Sequence, residues 1–247
     1  MGPNLVWRLL SLALLLLIWQ IVSGGNNLPA PWEVLQRIAQ EARSGALAHH
    51  MSITLGRVVA AFVIAMTLGS AIGYAMGRNL LADRLGDPWL VLLLNLPALV
   101  IIVLAYIWIG LNEVAAIGAV ALNKLPNAIV ALREGAKALD PQYDELAEVF
   151  SLPVWSRLRH ILAPQLAPYF AASARSGLSL VWKIVLVVEL LGRSNGIGFQ
   201  MNVAFQLFDM TLLLAYALPF VGVMLAIEFL AVQPFERHVS RWRPRAA

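Results

Sequence analysis

The chain has 247 residues, of which 60% are hydrophobic and 13% are charged, whereas soluble domains carry about 25% charged residues. Its mean hydropathy of +0.75 predicts an integral membrane protein with a single transmembrane domain. The net charge of +4 is attributed to orientation in the bilayer rather than to nucleic-acid binding. Because the chain contains no cysteine, disulfides and cysteine metal sites are excluded.

Apolar segments close to the length of a membrane span, which is about 20 residues, occur about six times along the chain. Lipid offers no hydrogen-bond partner to an open backbone, so we predict an all-α polytopic fold. The predicted spans are residues 5–22, 53–77, 89–109, 114–132, 170–191 and 211–232. The first span has features of a signal peptide, but the sequence after Val22 has no small-residue cleavage site, which favours an uncleaved helix.

Lysines and arginines predict the orientation of these spans. With the amino terminus inside, the inner loops and tail hold eleven basic residues and the outer loops hold three, namely Arg37, Arg43 and Arg193. This bias follows the positive-inside rule. It predicts that residues 23–52 and 192–210 are periplasmic, that residues 140–165 and 233–247 are cytoplasmic, and that both termini are cytoplasmic.

The inner segment 140–165 is polar and has the pattern of two short helices. Asp140 suits an N-cap and Pro141 suits the first helical position. Apolar residues then recur at helical spacing, at Tyr143, Leu146, Ala147 and Phe150. A second helix is predicted over residues 153–162. This pattern fits a docking surface for a soluble partner and an ordinary cytoplasmic loop equally well.

A specific motif lies in this segment. Glu145, Leu146 and Ala147 are followed by Ser151 and by residues 161–164, which read Ile-Leu-Ala-Pro. The spacing resembles the EAA motif of ABC importer permeases, which reads E-A-A, three residues, G, nine residues and I-x-L-P. Leu146, Ser151 and Ala163 depart from it, and Ser151 matters most because glycine enters a left-handed turn more easily than serine.

The resemblance implies that this segment is the coupling region, which docks in a groove of a cytoplasmic ATPase. The residues it assigns to ATPase coupling are Asp144, Glu145, Ala147, Glu148, Ser151, Leu152, Pro153, Trp155 and Arg157.

Further short motifs resemble the nitrate, sulfonate and taurine branch of these permeases. They include Leu-Pro-Ala-Pro at residues 28–31, Arg57 followed by Gly69, Gly73 and Gly77, Trp-Ile-Gly-Leu-Asn-Glu at residues 108–113, and Glu189 followed by Gly-Ile-Gly-Phe at residues 196–199. Each motif alone is weak, but their shared order and spacing identify the chain with this branch.

Polar residues inside the predicted spans are candidates for a translocation pathway, because ionisable groups in a membrane are costly. Arg175, Trp182 and Glu189 are seven residues apart and share a helix face; anchoring at the membrane surface is the alternative. Lys183 either favours an anionic solute or pairs with a carboxylate on a neighbouring helix, and Lys124 has similar standing. The candidate pathway or gate residues are Asn95, Pro97, Asn123, Arg175, Trp182, Lys183, Glu189, Gly196, Gly198 and Phe199.

No phosphate-binding loop is present, and no catalytic or metal-binding residues are predicted, so we expect a transport subunit rather than an enzyme. The resemblance implies a partner ATPase dimer that binds ATP and Mg²⁺, a second permease copy, a periplasmic binding protein and a location in the bacterial inner membrane. The implied solute is small and anionic, such as a sulfonate, taurine or nitrate. The alternatives are an ion-coupled secondary transporter with Glu189 or Glu228 as a proton site, and a membrane scaffold.

Overall fold

A computed structural model describes residues 3–23 and 28–239 of the chain. The predicted all-α fold is confirmed, because these residues form helices and loops and no strand. The helices are α1 (Pro3–Val22), α2 (Pro31–Arg43), α3 (Ala46–Arg78), α4 (Leu80–Asn95), α5 (Ala98–Ile109), α6 (Glu113–Lys137), α7 (Pro141–Val149), α8 (Val154–Arg157), α9 (Ala163–Gly192), α10 (Ile197–Gln206), α11 (Met210–Ile227) and α12 (Gln233–Val239). Two π-helical turns, Leu158–Leu162 and Glu228–Val232, join α8 to α9 and α11 to α12.

Several of these helices suit a bilayer. In the part of the chain that the structure describes, three helices are long and apolar enough to cross a membrane, namely Ala46–Arg78, Glu113–Lys137 and Met210–Glu236. The pair formed by α4 and α5 adds a fourth crossing if it is taken as one broken span. Helix α9 is 30 residues long, or about 45 Å, and carries Arg175, Lys183 and Glu189. Residues 24–27 of the predicted outer segment and residues 240–247 of the predicted tail lie outside the described residues.

The segment predicted as one span over residues 89–109 is bent by 98° between α4 and α5. Leu96 is extended, with φ −73° and ψ 125°, which is the conformation that a following proline imposes. Asn95, one of the candidate pathway residues, ends α4 and donates its side-chain amide to the carbonyl of Val91 at 2.7 Å. The Asn95 side chain therefore satisfies a backbone carbonyl in the last turn of α4, next to the break at Pro97.

Three glycines that recur every four residues along α3 pack directly on α6. A Cβ atom added to Gly69 or to Gly77 would lie 2.5 Å from the Cβ of Ala128 or of Ala136, and one added to Gly73 would lie 2.5 Å from the carbonyl oxygen of Ile129. Small residues at such positions let two transmembrane backbones approach closely. The α3–α6 pair is therefore the closely packed centre of the bundle.

Helix α9 completes this core from the other side of α6. Buried side chains of α3, α5, α6 and α9 form one cluster that includes Val58, Ile102, Val120, Val181 and Val185. A second cluster joins α10 to α11 and includes Ile197, Tyr216 and Phe220. Trp182 of α9 packs against both clusters, so α9 connects the first cluster to the second.

Candidate functional site

Helix α7 begins and ends as its sequence requires. The side chain of Asp140 accepts a hydrogen bond from the backbone N–H of Gln142 at 3.0 Å, and Pro141 occupies the first turn. At the other end, the N–H groups of Leu152 and Ser151 donate to the carbonyls of Ala147 and Glu148, both at 2.9 Å. These two bonds form a Schellman cap.

Ser151 is the left-handed residue of this cap, with φ +47°. The family motif has glycine here, and the geometry explains that preference because a left-handed backbone brings Cβ close to the following carbonyl. Leu152 and Pro153 then lead into α8. The chain therefore turns sharply between α7 and α8, at the position expected from the sequence.

The apolar side chains of this segment point away from the bundle. Val149, Phe150, Val154 and Trp155 are 80%, 67%, 84% and 70% exposed, respectively. Of the predicted apolar face of α7, Ala147 is buried, whereas Tyr143 and Leu146 are each half exposed. Glu145 and Glu148 are exposed beside them, and Asp144 lies in the same helix. In a single chain this surface is unpartnered, which is typical of a protein interaction site.

The end of this segment is continuous with α9. Arg157 ends α8, and the π-helical turn Leu158–Leu162 continues without a loop into α9. Ile161 and Leu162 of this turn are buried, and the side chain of Gln165 accepts a hydrogen bond from the N–H of Asp140 at 3.2 Å. Residues 154–192 therefore form one continuous helical stretch.

At the opposite end of α9, Glu189 is completely buried in a polar network. Its carboxylate accepts hydrogen bonds from Nη1 of Arg57 at 2.7 Å, from Oγ1 of Thr54 at 2.9 Å and from the N–H of Gly198 at 2.9 Å. Arg57 also donates to the carbonyl of Asn195 at 2.9 Å and to its side-chain oxygen. The carboxylate is thus fully engaged within one chain.

The same guanidinium reaches α6. Nε and Nη2 of Arg57 donate to the two carboxylate oxygens of Glu113 at 2.8 Å and 2.6 Å, and Arg193 donates to Glu113 as well. Arg57 therefore joins α3 to the start of α6 and to the last turn of α9. In the sequence, Arg57 and Glu113 stand out only as parts of the branch motifs, and their pairing was not predicted. An arginine inside an apolar helix was the feature that indicated a buried partner.

The Gly-Ile-Gly-Phe segment starts α10 against this network. The N–H of Gly196 donates a hydrogen bond to Nδ1 of His50 at 3.0 Å. The N–H of Ile197 donates to Oγ1 of Thr54 at 2.8 Å, and that of Gly198 donates to the carboxylate of Glu189. Gly196 has φ +107°, a conformation open to glycine. Phe199 lies one turn into α10, with its ring centroid 6.2 Å from that of His50.

In the amino-terminal half of α9, Arg175 lies in a cleft against α11 and α12. Its Nε donates to Glu228 at 3.2 Å and its Nη1 donates to Glu236 at 2.7 Å. The cleft has a volume of about 380 Å³, and Trp182 forms part of its wall. Arg175 and Trp182 thus share one cleft. Glu189, which the seven-residue spacing predicted on the same helix face, is instead enclosed in the polar network around Arg57.

The two mid-span lysines have different surroundings. Lys124 is 1% exposed. Its amine donates to the carbonyl and hydroxyl oxygens of Ser173 at 3.2 Å and 3.3 Å. The Lys124 side chain lies against Gly177, where a Cβ atom would collide with it. Lys183 is exposed, with its amine 5.6 Å from the centroid of the Trp182 ring. Asn123 is half-buried in α6.

Comparisons with known proteins agree with this architecture. The chain is 26% identical over 241 residues to a probable ABC transporter permease protein of Brucella abortus (strain 2308), covering 97% of this chain and 96% of the relative. It is 27% identical over 237 residues to the putative aliphatic sulfonates transport permease protein SsuC of Bacillus subtilis (strain 168), covering 94% and 85%. The predicted resemblance to the nitrate, sulfonate and taurine branch is therefore confirmed.

The fold also matches that of a solved transporter. The crystal structure of an amino acid ABC transporter with histidines superposes with a TM-score of 0.57 at 17% sequence identity, covering 84% of this chain and 97% of the other. A family model described as binding-protein-dependent transport system inner membrane component matches residues 61–233. Because this match spans well over half of the sequence, the chain belongs to the family of binding-protein-dependent transport system inner membrane components.

Proposed function

We propose that this chain, a permease subunit of an ABC importer and not itself an enzyme, conducts a small anionic solute through the inner membrane. The solute is a sulfonate, taurine or nitrate, and a periplasmic binding protein delivers it. We further propose that two copies form the pathway and that both termini are cytoplasmic, as the distribution of basic residues indicates. The name of the sulfonate permease relative supports a sulfonate as the solute. ATP and Mg²⁺ are bound by the partner ATPase.

One observation carries the mechanism. The exposed apolar surface formed by Val149, Phe150, Val154 and Trp155 is hereafter called the coupling surface, and its α8 part continues without a loop into α9. We propose that the ATPase binds this surface and that closure of the ATPase dimer moves it. Because packed helices move as rigid bodies, α9 then moves relative to the second copy and opens the pathway.

We propose Arg175 and Trp182 as pathway residues at the inner cleft, and Glu189, Gly196, Gly198 and Phe199 as the support of an outer gate. Asn95 and Pro97 shape the α4–α5 break. The enclosure of Glu189 by Arg57, Thr54 and Gly198 argues against the secondary transporter, because a proton site must exchange protons with water.

Copurification tests the proposal. Phe150→Asp places a charge on the coupling surface, and Phe208→Asp places one on another exposed phenylalanine, beyond the other end of α9. We expect only the first to abolish copurification of an ATPase from the native membrane. Glu145→Lys is likewise expected to abolish uptake at an unchanged level of permease. Equal loss with Phe150→Asp and Phe208→Asp, or uptake driven by a proton gradient without any ATPase, would refute the assignment.

A further inference from the structure

His50 of α3 packs where α10 begins and where α11 passes beside it. The centroid of its ring lies 6.2 Å from that of Phe199 in α10 and 6.0 Å from that of Tyr216 in α11. The side chain is half-buried, whereas the neighbouring His49 is exposed. A single imidazole therefore contacts two other helices at this end of the bundle.

The start of α10 depends on side chains for its position. The first N–H groups of a helix have no carbonyl partner within that helix. Gly196, which precedes α10, is buried, and its N–H donates to Nδ1 of His50 at 3.0 Å. On its other side a Cβ atom added to Gly196 would collide with the carboxylate of Glu189. The backbone at Gly196 is thus held between an imidazole and a carboxylate.

The two ring nitrogens of His50 have different roles. A neutral imidazole has one N–H donor and one acceptor nitrogen. Because Nδ1 accepts the hydrogen bond from Gly196, the proton of the neutral ring is on Nε2. Nε2 lies 2.8 Å from the side-chain amide of Gln200, and a half-turn of that amide presents its oxygen as the acceptor. His50 therefore binds α10 at two points, before its first residue and in its first turn.

A protonated His50 cannot make the bond to Gly196. The imidazolium ion has an N–H on both nitrogens and no acceptor, so its Nδ1 proton would point at the N–H of Gly196. An imidazole in water gains this proton at about pH 6.5. The hydrogen bond is present while the ring is neutral, and it is lost as the pH falls through the value at which the ring is protonated.

The carboxylates around His50 are engaged with other partners. The ionisable groups nearest the ring are His49 of α3, Glu41 of α2, Tyr216 of α11 and, beyond Gly196, Glu189 of α9. Glu41 pairs with Arg37 at 3.1 Å and accepts from the hydroxyl of Tyr216 at 2.9 Å. Glu189 pairs with Arg57, and α10 contributes no ionisable side chain. Protonation therefore adds a charge where each nearby carboxylate already has an arginine.

We propose that His50 is a positioning residue whose neutral imidazole holds the start of α10 and whose protonation releases it. The inference rests on the proposed function for its consequence, because there Gly196, Gly198 and Phe199 support the outer gate. In the proposed orientation this end of the bundle faces the periplasm. The support of the gate is then firm at neutral periplasmic pH and loosened in acid.

Hydrogen exchange at the amide of Gly196 tests the inference in the full-length permease in lipid nanodiscs. The rate is expressed relative to that of an unstructured amide at the same pH, which removes the direct effect of pH on exchange. Between about pH 7.5 and about pH 5, on either side of the imidazole titration, we expect protection to fall about tenfold, the factor given by 1.4 kcal/mol. His50→Asn should keep its protection at both pH values, because an amide oxygen accepts from Gly196 and gains no proton.

His49→Asn is the matched control, because it removes the adjacent exposed imidazole and leaves Nδ1 of His50 in place. This variant should lose protection in acid as the unaltered protein does. Protection at Gly196 that does not change with pH in the unaltered protein would overturn the inference. An equal acid loss in His50→Asn would overturn it as well, since the loss would then come from another group.

A second measurement needs no substitution at the site. Nitrogen-15 resonances of the imidazole rings distinguish a protonated ring nitrogen from a bare one. In the unaltered protein at about pH 7.5, above the imidazole titration, we expect His50 to carry its proton on Nε2, and a proton on Nδ1 would overturn the inference. Both measurements are made without the ATPase, so their failure would leave the copurification result and the proposed function standing.

Discussion

Nη1 of Arg57 donates to Oε1 of Glu189 at 2.7 Å, although the two residues lie 132 positions apart in the chain. Arg57 is 4% exposed and Glu189 is fully buried. Because Arg57 also binds Glu113, a single guanidinium joins α3 to the start of α6 and to the end of α9. This arrangement, hereafter the clamp, and the coupling surface lie at opposite ends of α9.

Arg57→Met is expected to destabilise the protein strongly. The variant leaves the carboxylate of Glu189 buried without its cation, a change that costs about 3–5 kcal/mol. Arg37→Met, which removes a partly exposed pair with Glu41 one turn away in the same helix, should cost at most about 1 kcal/mol. Unfolding in mixed detergent micelles measures the stability lost in each of the two variants. Adding Glu189→Gln to Arg57→Met should recover part of the loss, and equal losses for the two arginines would contradict the clamp.

Gly73→Ala is expected to separate α3 from α6, because the added Cβ meets the Ile129 carbonyl at 2.5 Å. Overpacking of this kind costs about 1–3 kcal/mol. Gly118, also in a helix, has no atom within 4 Å of an added Cβ, so Gly118→Ala should stabilise the protein by up to about 1 kcal/mol through helix propensity. Thermal unfolding of the two purified variants should therefore shift in opposite directions.

Ser151→Gly is expected to stabilise the turn after α7, because a left-handed non-glycine residue costs about 1–2 kcal/mol. Ser151→Val should have the opposite effect, since a β-branched side chain suits this backbone poorly. Hydrogen exchange at the amides of Ser151 and Leu152, which close the cap, reports the local stability. Faster exchange in Ser151→Gly than in the unaltered protein would show that the serine side chain, and not the backbone, maintains the turn.

Lys124→Met is expected to leave stability unchanged or to raise it by about 1 kcal/mol. The buried amine has only the two neutral oxygens of Ser173 as partners, and replacing a buried charge by an apolar group of similar size is often stabilising. Lys124→Asp should lower stability by several kcal/mol. Chemical unfolding of both variants measures this. A large loss with Lys124→Met would show that the amine is required for the packing of α6 on α9.

Much of this protein was predictable from local pattern. Hydrophobic run lengths indicated membrane helices, and the Asp140–Pro141 pair indicated the start of α7. The 98° bend between α4 and α5 was not predicted. A proline specifies where a helix is interrupted, whereas neighbouring helices determine the angle.

The amino-acid order by itself established an all-α membrane protein with an acidic segment between two spans, because bilayer thickness and helix periodicity act over short stretches of chain. It did not reveal that Glu189 is enclosed by Arg57 while Arg175, on the same predicted face, binds Glu228 and Glu236. Helical spacing says which side chains lie along one line of a helix, but not what lies opposite each of them. Those partners come from residues more than 50 positions away, so only the packing of whole helices separates a structural ion pair from a side chain left free for a ligand.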